Sequence, residues 1–177
     1  MNNPMVLTIL FAAVIGVSQA PAQQRPPEPK LQVSVRSIES SYRMVGSLGL
    51  EIQLENVGDE PTLVCRPWGW GVGRTYIRVF DQLGKEVFTT FLADQMPPTP
   101  REKDFLELGR NEFFGIRLNE DVTHFVNLPG TYDILVEYTS PVSDEWVRKY
   151  VQIPKVALWS RERGTIVSNK IRVEITK

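Results

Sequence analysis

The residue types that most often perform catalysis are scarce in this chain. It contains one histidine, His124, and one cysteine, Cys65, among 177 residues. A Ser-His-Asp or Cys-His arrangement would have to use His124, yet there is no GxSxG turn to expose a nucleophile. One histidine and one cysteine also fall short of the three or four ligands that zinc requires. The sequence therefore predicts no catalytic residue, no metal site and no cofactor.

Neighbouring carboxylates occur in predicted loops and never form the D-x-D-x-D-G pattern of a calcium loop. Residues 119–121, Asn-Glu-Asp, could at most hold calcium weakly. Adjacent acids in loops are usually solvated turn residues, and that is the interpretation we adopt.

Two tryptophans, Trp68 and Trp70, lie in a glycine-rich stretch that has no other aromatic residue. Large rings on such a backbone can stack on sugar rings or anchor a protein partner. The alternative is that one or both rings fold back over the end of the domain. Both tryptophans are candidate ligand-binding residues.

The segment 140–168 is the second candidate contact region. It is long for a connection within a small domain, and loops of this length are usually functional or disordered. Residues 146–153 have the composition of a strand, and the segment is aromatic and basic. Its candidate partner-binding residues are Trp146, Arg148, Lys149, Trp159, Arg161 and Arg163. The alternative is an extra hairpin that pads a sheet edge.

The overall charge excludes one class of partner. Twenty Lys and Arg residues against twenty-one Asp and Glu residues give a net charge of −1. Such a chain has no overall field to attract polyanions or acidic membranes. We therefore expect no nucleic-acid partner; another protein or a glycan remains possible.

The first residues are typical of an export signal. All Lys, Arg, Asp and Glu residues lie from Arg25 onward, and residues 5–17 are almost entirely apolar. That run is too short to span a bilayer. We predict a signal peptide over 1–22, a Pro-rich linker over 23–30 and one domain over 31–177. The chain is then periplasmic or extracellular, with no stable membrane insertion after cleavage. An uncleaved anchor and a mis-assigned start are the alternatives.

Cys65 cannot form an internal disulfide because it is the only cysteine. It belongs to the short predicted strand 62–65, where a small buried apolar side chain is expected. A reactive thiol and an intermolecular disulfide are the sharper alternatives.

The clearest structural signal is the stretch 128–139, LPGTYDILVEYT. After a Pro-Gly turn, Tyr132, Ile134, Val136 and Tyr138 fall on one face of a strand, which should be core. Tyr132 follows Gly130 by two residues, the layout of the tyrosine corner in immunoglobulin-like sandwiches.

Further short strands with turn signals between them fill the rest of the domain. Leu48, Leu50, Ile52 and Leu54 alternate with polar residues, and Gly84 is placed for a left-handed hairpin turn. The charged alternation of residues 170–176 suits an edge strand. Eight or nine such strands predict an all-β, antiparallel sandwich.

The motifs SYRMVGSLGLEIQLENVGDEP, DQLGKEV, LELGRNEFFGIRL, LPGTYDILVEY and SNKIRVEI together resemble the immunoglobulin-like domains of exported bacterial proteins. More loosely, they are similar to bacterial proteinase-inhibitor domains of that architecture. The resemblance implies the sandwich fold. Because Ile134 stands where antibody-type domains have a cysteine, the inter-sheet disulfide of those domains is absent.

Sequence and resemblance together favour an exported, non-catalytic binding module. A protease inhibitor of the same fold and a carbohydrate-binding module that uses Trp68 and Trp70 are the alternatives.

Overall fold

The described residues form twelve strands and one short helix. The computed structural model describes residues 30–66, 74–88, 100–150 and 156–177. The strands are β1 Leu31–Ser37, β2 Ser41–Arg43, β3 Ser47–Asn56, β4 Thr62–Cys65, β5 Arg74–Phe80, β6 Glu86–Phe88, β7 Phe105–Leu108, β8 Phe113–Asp121, β9 Gly130–Thr139, β10 Ala157–Leu158, β11 Thr165–Val167 and β12 Ile171–Thr176. The helix α1 spans Asp144–Tyr150, and single 3-10 turns span Glu102–Asp104, Val122–His124 and Arg161–Arg163.

The strands form two main sheets and a small third one. The first sheet has the order β1-β3-β8, and the second has the order β2-β12-β9-β5-β6 with β11 added to β9. The third sheet has the order β10-β4-β7. All described pairs are antiparallel except β2 with β12 and β10 with β4.

The core lies between the two main sheets, where the inward positions of their strands meet. The predicted inward faces of β3 and β9 are confirmed, because their alternating apolar residues are all buried. Strand β1 of the first sheet packs against β9, β11 and β12 of the second. Burial on this scale is the main stabilising contribution to such a domain.

Two local predictions are also confirmed. The hydroxyl of Tyr132 donates a hydrogen bond of 2.8 Å to the carbonyl of Leu128, which is the tyrosine corner. Gly84 has a φ of 75° in the hairpin between β5 and β6, a conformation that glycine adopts without steric cost. The chain is an all-β, immunoglobulin-like sandwich, as the sequence predicted.

Three features differ from prediction. Residues 144–150 form a helix, so the strand predicted over 146–153 is wrong for residues 146–150, and residues 151–153 lie outside the described ranges. Strand β12 is not a sheet edge, because Glu174–Thr176 pair with β2 while the strand also pairs with β9. The extra-hairpin interpretation of 140–168 is wrong as well, since β10 pairs with β4 and β11 pairs with β9.

The predicted signal peptide 1–22, the linker up to residue 29, and Trp68 and Trp70 lie outside the described residues. Among the residues that are described, no helix has the length and apolar character needed to cross a membrane.

Candidate functional site

Strand β4 and the described parts of the predicted contact segment 140–168 meet at one end of the sandwich. Thr62 and Leu63 of β4 pair with Ala157 and Leu158 of β10. The Trp159 amide then donates to the Leu63 carbonyl at 2.9 Å. We call this the excursion end, after the long connection 140–168. It is formed by β4, Arg66, residues 140–150 and residues 156–163.

A buried asparagine fixes the turn that leads into β4. The side-chain nitrogen of Asn56 donates to the carbonyls of Glu60 (2.8 Å) and Leu108 (2.9 Å). Its side-chain oxygen accepts from the Gly58 amide at 3.0 Å. Asn56 is fully buried, so these hydrogen bonds satisfy polar groups that water cannot reach.

The excursion end has a small hydrophobic core of its own. Cys65, Val142 and Val147 are buried together, and half-buried Phe105, Trp146 and Leu158 pack against them. Val64, the neighbour of Cys65, belongs to the main core. Strand β4 therefore separates the two cores, with the main core on one of its faces and the small core on the other.

Local sequence explains why α1 forms on this small core. The Ser143 hydroxyl accepts a hydrogen bond from the Trp146 amide at 3.1 Å, as a helix N-cap does. Asp144 and Glu145 lie in the first turn, while Arg148 and Lys149 lie in the last. Both charge placements favour the helix dipole. This capping pattern is the signal that predicts α1, and the strand interpretation overlooked it.

The outer surface of α1 carries aromatic and basic groups. Tyr150 is 61% exposed, and its ring lies 5.4 Å from that of half-buried Trp146. The Lys149 ammonium lies 5.2 Å from the centre of the Tyr150 ring. Aromatic side chains that are exposed next to basic ones are common on protein-binding surfaces.

The 3-10 turn Arg161–Arg163 is hydrogen-bonded to the first residue of α1 and to the segment just before it. A carboxylate oxygen of Glu162 accepts from the Asp144 amide at 3.1 Å, and this hydrogen bond lowers the pKa of Glu162. The Arg161 guanidinium donates to the Pro141 carbonyl at 2.6 Å. A shallow depression of about 550 Å³ between the two segments is lined by Asp144, Glu145, Arg148, Lys149 and Glu162.

Of the predicted contact residues, Trp146 is half-buried against the small core, and the others fall into three groups. Arg148, Lys149, Arg161 and Arg163 are exposed on the excursion end. Trp159 is buried in the main core, so its ring is not available to a partner. Trp68 and Trp70 lie outside the described residues, shortly after Arg66, whose guanidinium donates to the Lys103 carbonyl at 3.0 Å.

Cys65 and His124 are kept apart. Cys65 is buried, as predicted for a small apolar side chain, and burial raises the pKa of its thiol to about 12. It shares the small core with Val142, which follows the last residue of β9. His124 lies before the first residue of β9, 3.5 Å from a carboxylate oxygen of Glu120. Nine residue steps of extended strand, about 30 Å, separate these ends. Within the described ranges, no three His, Cys, Asp or Glu side chains are grouped to hold a metal ion.

Comparisons with known proteins give only weak structural likenesses. No family model and no curated protein matches the chain. A CARDB domain from Pyrococcus furiosus, solved in complex with di-metal ions, is 16% identical with a TM-score of 0.38, covering 84% of this chain and 94% of that one. The β-glucosidase EmGH1 from Erythrobacter marinus is 9% identical with a TM-score of 0.41, covering 84% of this chain and 16% of that one.

A β-glucosidase from Listeria innocua in complex with glucose is 12% identical with a TM-score of 0.40, again covering 84% of this chain and 16% of that one. The chain spans a small fraction of both glucosidases. Likenesses this weak carry no argument about what the chain does.

Proposed function

We propose that this chain is an exported, non-catalytic module that binds a protein partner through its excursion end. The observation that carries the proposal is the joining of β4 to parts of the contact candidate 140–168, which are far from it in sequence. The β4–β10 pairing and the small core bring residues 62–66 and the surface of α1 to one place.

Rigidity and composition support this surface as a binding site. Val147 anchors α1 in the small core, so Tyr150 is presented from an ordered helix. A preordered aromatic side chain loses little conformational entropy when a partner covers it. Tyrosine, tryptophan and arginine are the residues most often dominant in protein interfaces.

The charge pattern favours a protein over a polyanion. Arg148 and Lys149 share their depression with Asp144, Glu145 and Glu162. A partner must therefore present both signs of charge in a matching arrangement, which gives specificity. Export is part of the proposal and is supported by the uncharged, apolar start of the chain.

The first experiment identifies the partner by contact. A photoreactive benzoylphenylalanine replaces Tyr150 in the full chain, which is irradiated in an exporting bacterial host. The cross-linked protein is identified by mass spectrometry and purified. Its affinity is then measured by calorimetry for the unmodified chain and for two variants.

Tyr150→Ala should weaken binding by about tenfold or more, the size expected for a central interface aromatic. Phe113→Ala is the matched control, because Phe113 is an exposed aromatic (59%) on the first sheet. It should leave the affinity within a factor of about two. Equal loss in both variants, or none in Tyr150→Ala, contradicts the proposal.

Two further assays address the alternative functions. Stoichiometric inhibition of trypsin, chymotrypsin, subtilisin or elastase by the full chain would replace the proposal with a protease inhibitor. Retardation in gels that contain soluble glucans, abolished by Trp68→Ala or Trp70→Ala, would replace it with a carbohydrate-binding module.

A further inference from the structure

The charged residues of α1 are separated by sign along the helix axis. Asp144 and Glu145 lie in the first turn, and Arg148 and Lys149 lie in the last. All four line the depression of about 550 Å³ beside the helix. Glu162 completes its lining, and the Glu162 carboxylate accepts from the Asp144 amide at the start of α1. The depression is therefore negative at the start of the helix and positive at its end.

These charges are not paired with one another within the helix. Asp144 with Arg148, and Glu145 with Lys149, have the four-residue spacing at which ion pairs form along a helix. In the described part of the chain, however, no ion pair joins either two side chains. The Lys149 ammonium lies instead beside the Tyr150 ring. The acids and bases of α1 are therefore available to a partner.

The surface that carries these charges is exposed and ordered. Glu145, Arg148 and Lys149 are exposed, and Asp144 is half-buried. Val147 lies on another face of the helix, where it is buried in the small core. The small core therefore fixes the direction in which α1 presents its acids and bases.

We propose that a second copy of this chain binds this surface, in a reversible two-fold dimer whose two α1 helices lie antiparallel. A two-fold axis between the helices places the acidic first turn of each copy against the basic last turn of the other. The same contacts then occur twice, as in any isologous interface. This inference rests on the proposed function, because it names the partner of the same excursion end.

Charge complementarity selects the antiparallel arrangement. In it, the side chains of Asp144 and Glu145 of one copy meet only the basic turn of the other helix, and Arg148 and Lys149 meet only the acidic turn. A parallel pair would place acids against acids and bases against bases, and like charges across an interface are costly. A surface whose two signs are separated along one axis is therefore complementary to a copy of itself.

The size of the surface makes this dimer weak and sensitive to salt. Helix α1 has seven residues, which corresponds to a length of about 10 Å. A contact built around so short a helix belongs to the small interfaces, below about 1,200 Å² of total buried area. Exposed ion pairs are also screened by salt. We therefore expect self-association at low ionic strength that weakens by about tenfold or more when the salt is raised to about 0.5 M.

The test reverses the charges of one turn at a time in the full chain. The acid-reversed variant is Asp144→Lys, Glu145→Lys, and the base-reversed variant is Arg148→Glu, Lys149→Glu. Two copies of either variant present the same sign of charge along the whole of α1. Self-association of each should therefore fall by at least about tenfold relative to the unmodified chain. Sedimentation velocity at low salt measures it.

An equimolar mixture of the two variants is the decisive measurement. One copy then presents only bases and the other only acids, so a dimer with one of each should form at least as tightly as the dimer of the unmodified chain. Recovery on mixing also shows that both variants keep a folded surface. The matched control is Glu39→Lys, Glu174→Lys, which changes the net charge as the acid-reversed variant does, at exposed residues outside the excursion end. Its self-association should stay within a factor of about two of the unmodified chain.

Three results overturn the inference. The first is an unmodified chain that stays monomeric at low salt up to about 1 mM, the weak end of specific association. The second is a dimer that either reversed variant forms as tightly as the unmodified chain. The third is a mixture of the two variants that stays monomeric. The proposed function fails separately: a cross-link from position 150 to a different protein overturns only the second copy as partner, whereas no cross-link to any protein overturns both proposals.

Discussion

The two ends of the sandwich reach order by different means. At the loop-tip end, formed by residues 43–47, 81–85 and 121–130, two turns are closed by a side chain four residues from its partner: Asp81 closes the hairpin and Tyr132 closes the corner. At the excursion end, order comes from segments far apart in sequence that share a small core. Local closure should be weak and independent at each turn, whereas the shared core should fail cooperatively.

The largest expected effect concerns the closure of the small core around Cys65. Burial raises the pKa of its thiol from 9.0 to about 12. At pH 8 the folded chain should therefore react with iodoacetamide about a thousandfold more slowly than the urea-unfolded chain, because only the thiolate reacts. Comparable rates would mean that the excursion end is open.

The same shift gives a pH dependence. The folded pKa lies above the unfolded one, so the stability that it contributes is fully present below pH 9 and is lost as the pH rises toward 12. Urea unfolding at pH 8 and pH 10 measures this loss. Cys65→Ala, which cannot titrate, should lose less stability over that interval than the unmodified chain.

The next effect tests the turn that leads into β4. Asn56→Ala should lower the free energy of unfolding by about 3 kcal/mol, since three buried hydrogen bonds are lost and their backbone partners stay buried. Urea unfolding followed by circular dichroism measures it. Asn127→Ala, at an exposed asparagine of the loop-tip end, is the control and should change stability by less than about 0.5 kcal/mol. Similar values for both variants contradict the role given to Asn56.

A third effect separates the small core from the main one. Val147→Ala should cost about 2 kcal/mol, the transfer free energy of the lost methyl groups together with the cavity left behind. Hydrogen exchange should accelerate chiefly in α1. Val136→Ala, in the main core, should instead accelerate exchange in every strand. Uniform acceleration by Val147→Ala would show that the two cores unfold as one.

The smallest effect tests local closure at the loop-tip end. Tyr132→Phe removes only the hydroxyl that donates to Leu128, and it should cost about 1 kcal/mol in urea unfolding. Tyr150→Phe, at an exposed ring, is the control and should be neutral. A cost for Tyr132→Phe above that of Asn56→Ala would reverse the contrast between the two ends.

The features that the sequence predicts are those that a few neighbouring residues determine. Period-2 alternation identifies β3 and β9 and their buried faces, because a strand with one buried face must alternate. The spacing of Gly130 and Tyr132 predicts the tyrosine corner. Gly84 predicts the hairpin, since its positive φ disfavours other residues.

The features that the sequence does not predict depend on distant neighbours. Charges along β12 show that one of its faces meets water, but they do not reveal that β2 pairs beside it. Helix α1 has a local capping signal, but its Trp, Val and Tyr also favour strands, and it packs on a small core that residues 65 and 142 complete. The burial of Trp159 likewise requires the pairing of β10 with β4.

The parallel pairing of β2 with β12 gives the sandwich a defined response to tension. The pair is extended by hydrogen bonds from the Glu174 amide to the Ser40 carbonyl and from the Met44 amide to the Thr176 carbonyl. Pulling Ser41 and Thr176 apart slides the two strands along each other, so these hydrogen bonds bear the load together instead of opening one by one. Because the rate of forced unfolding follows the barrier to the first step, a force applied between Ser41 and Thr176 should meet its first resistance in this pair of strands.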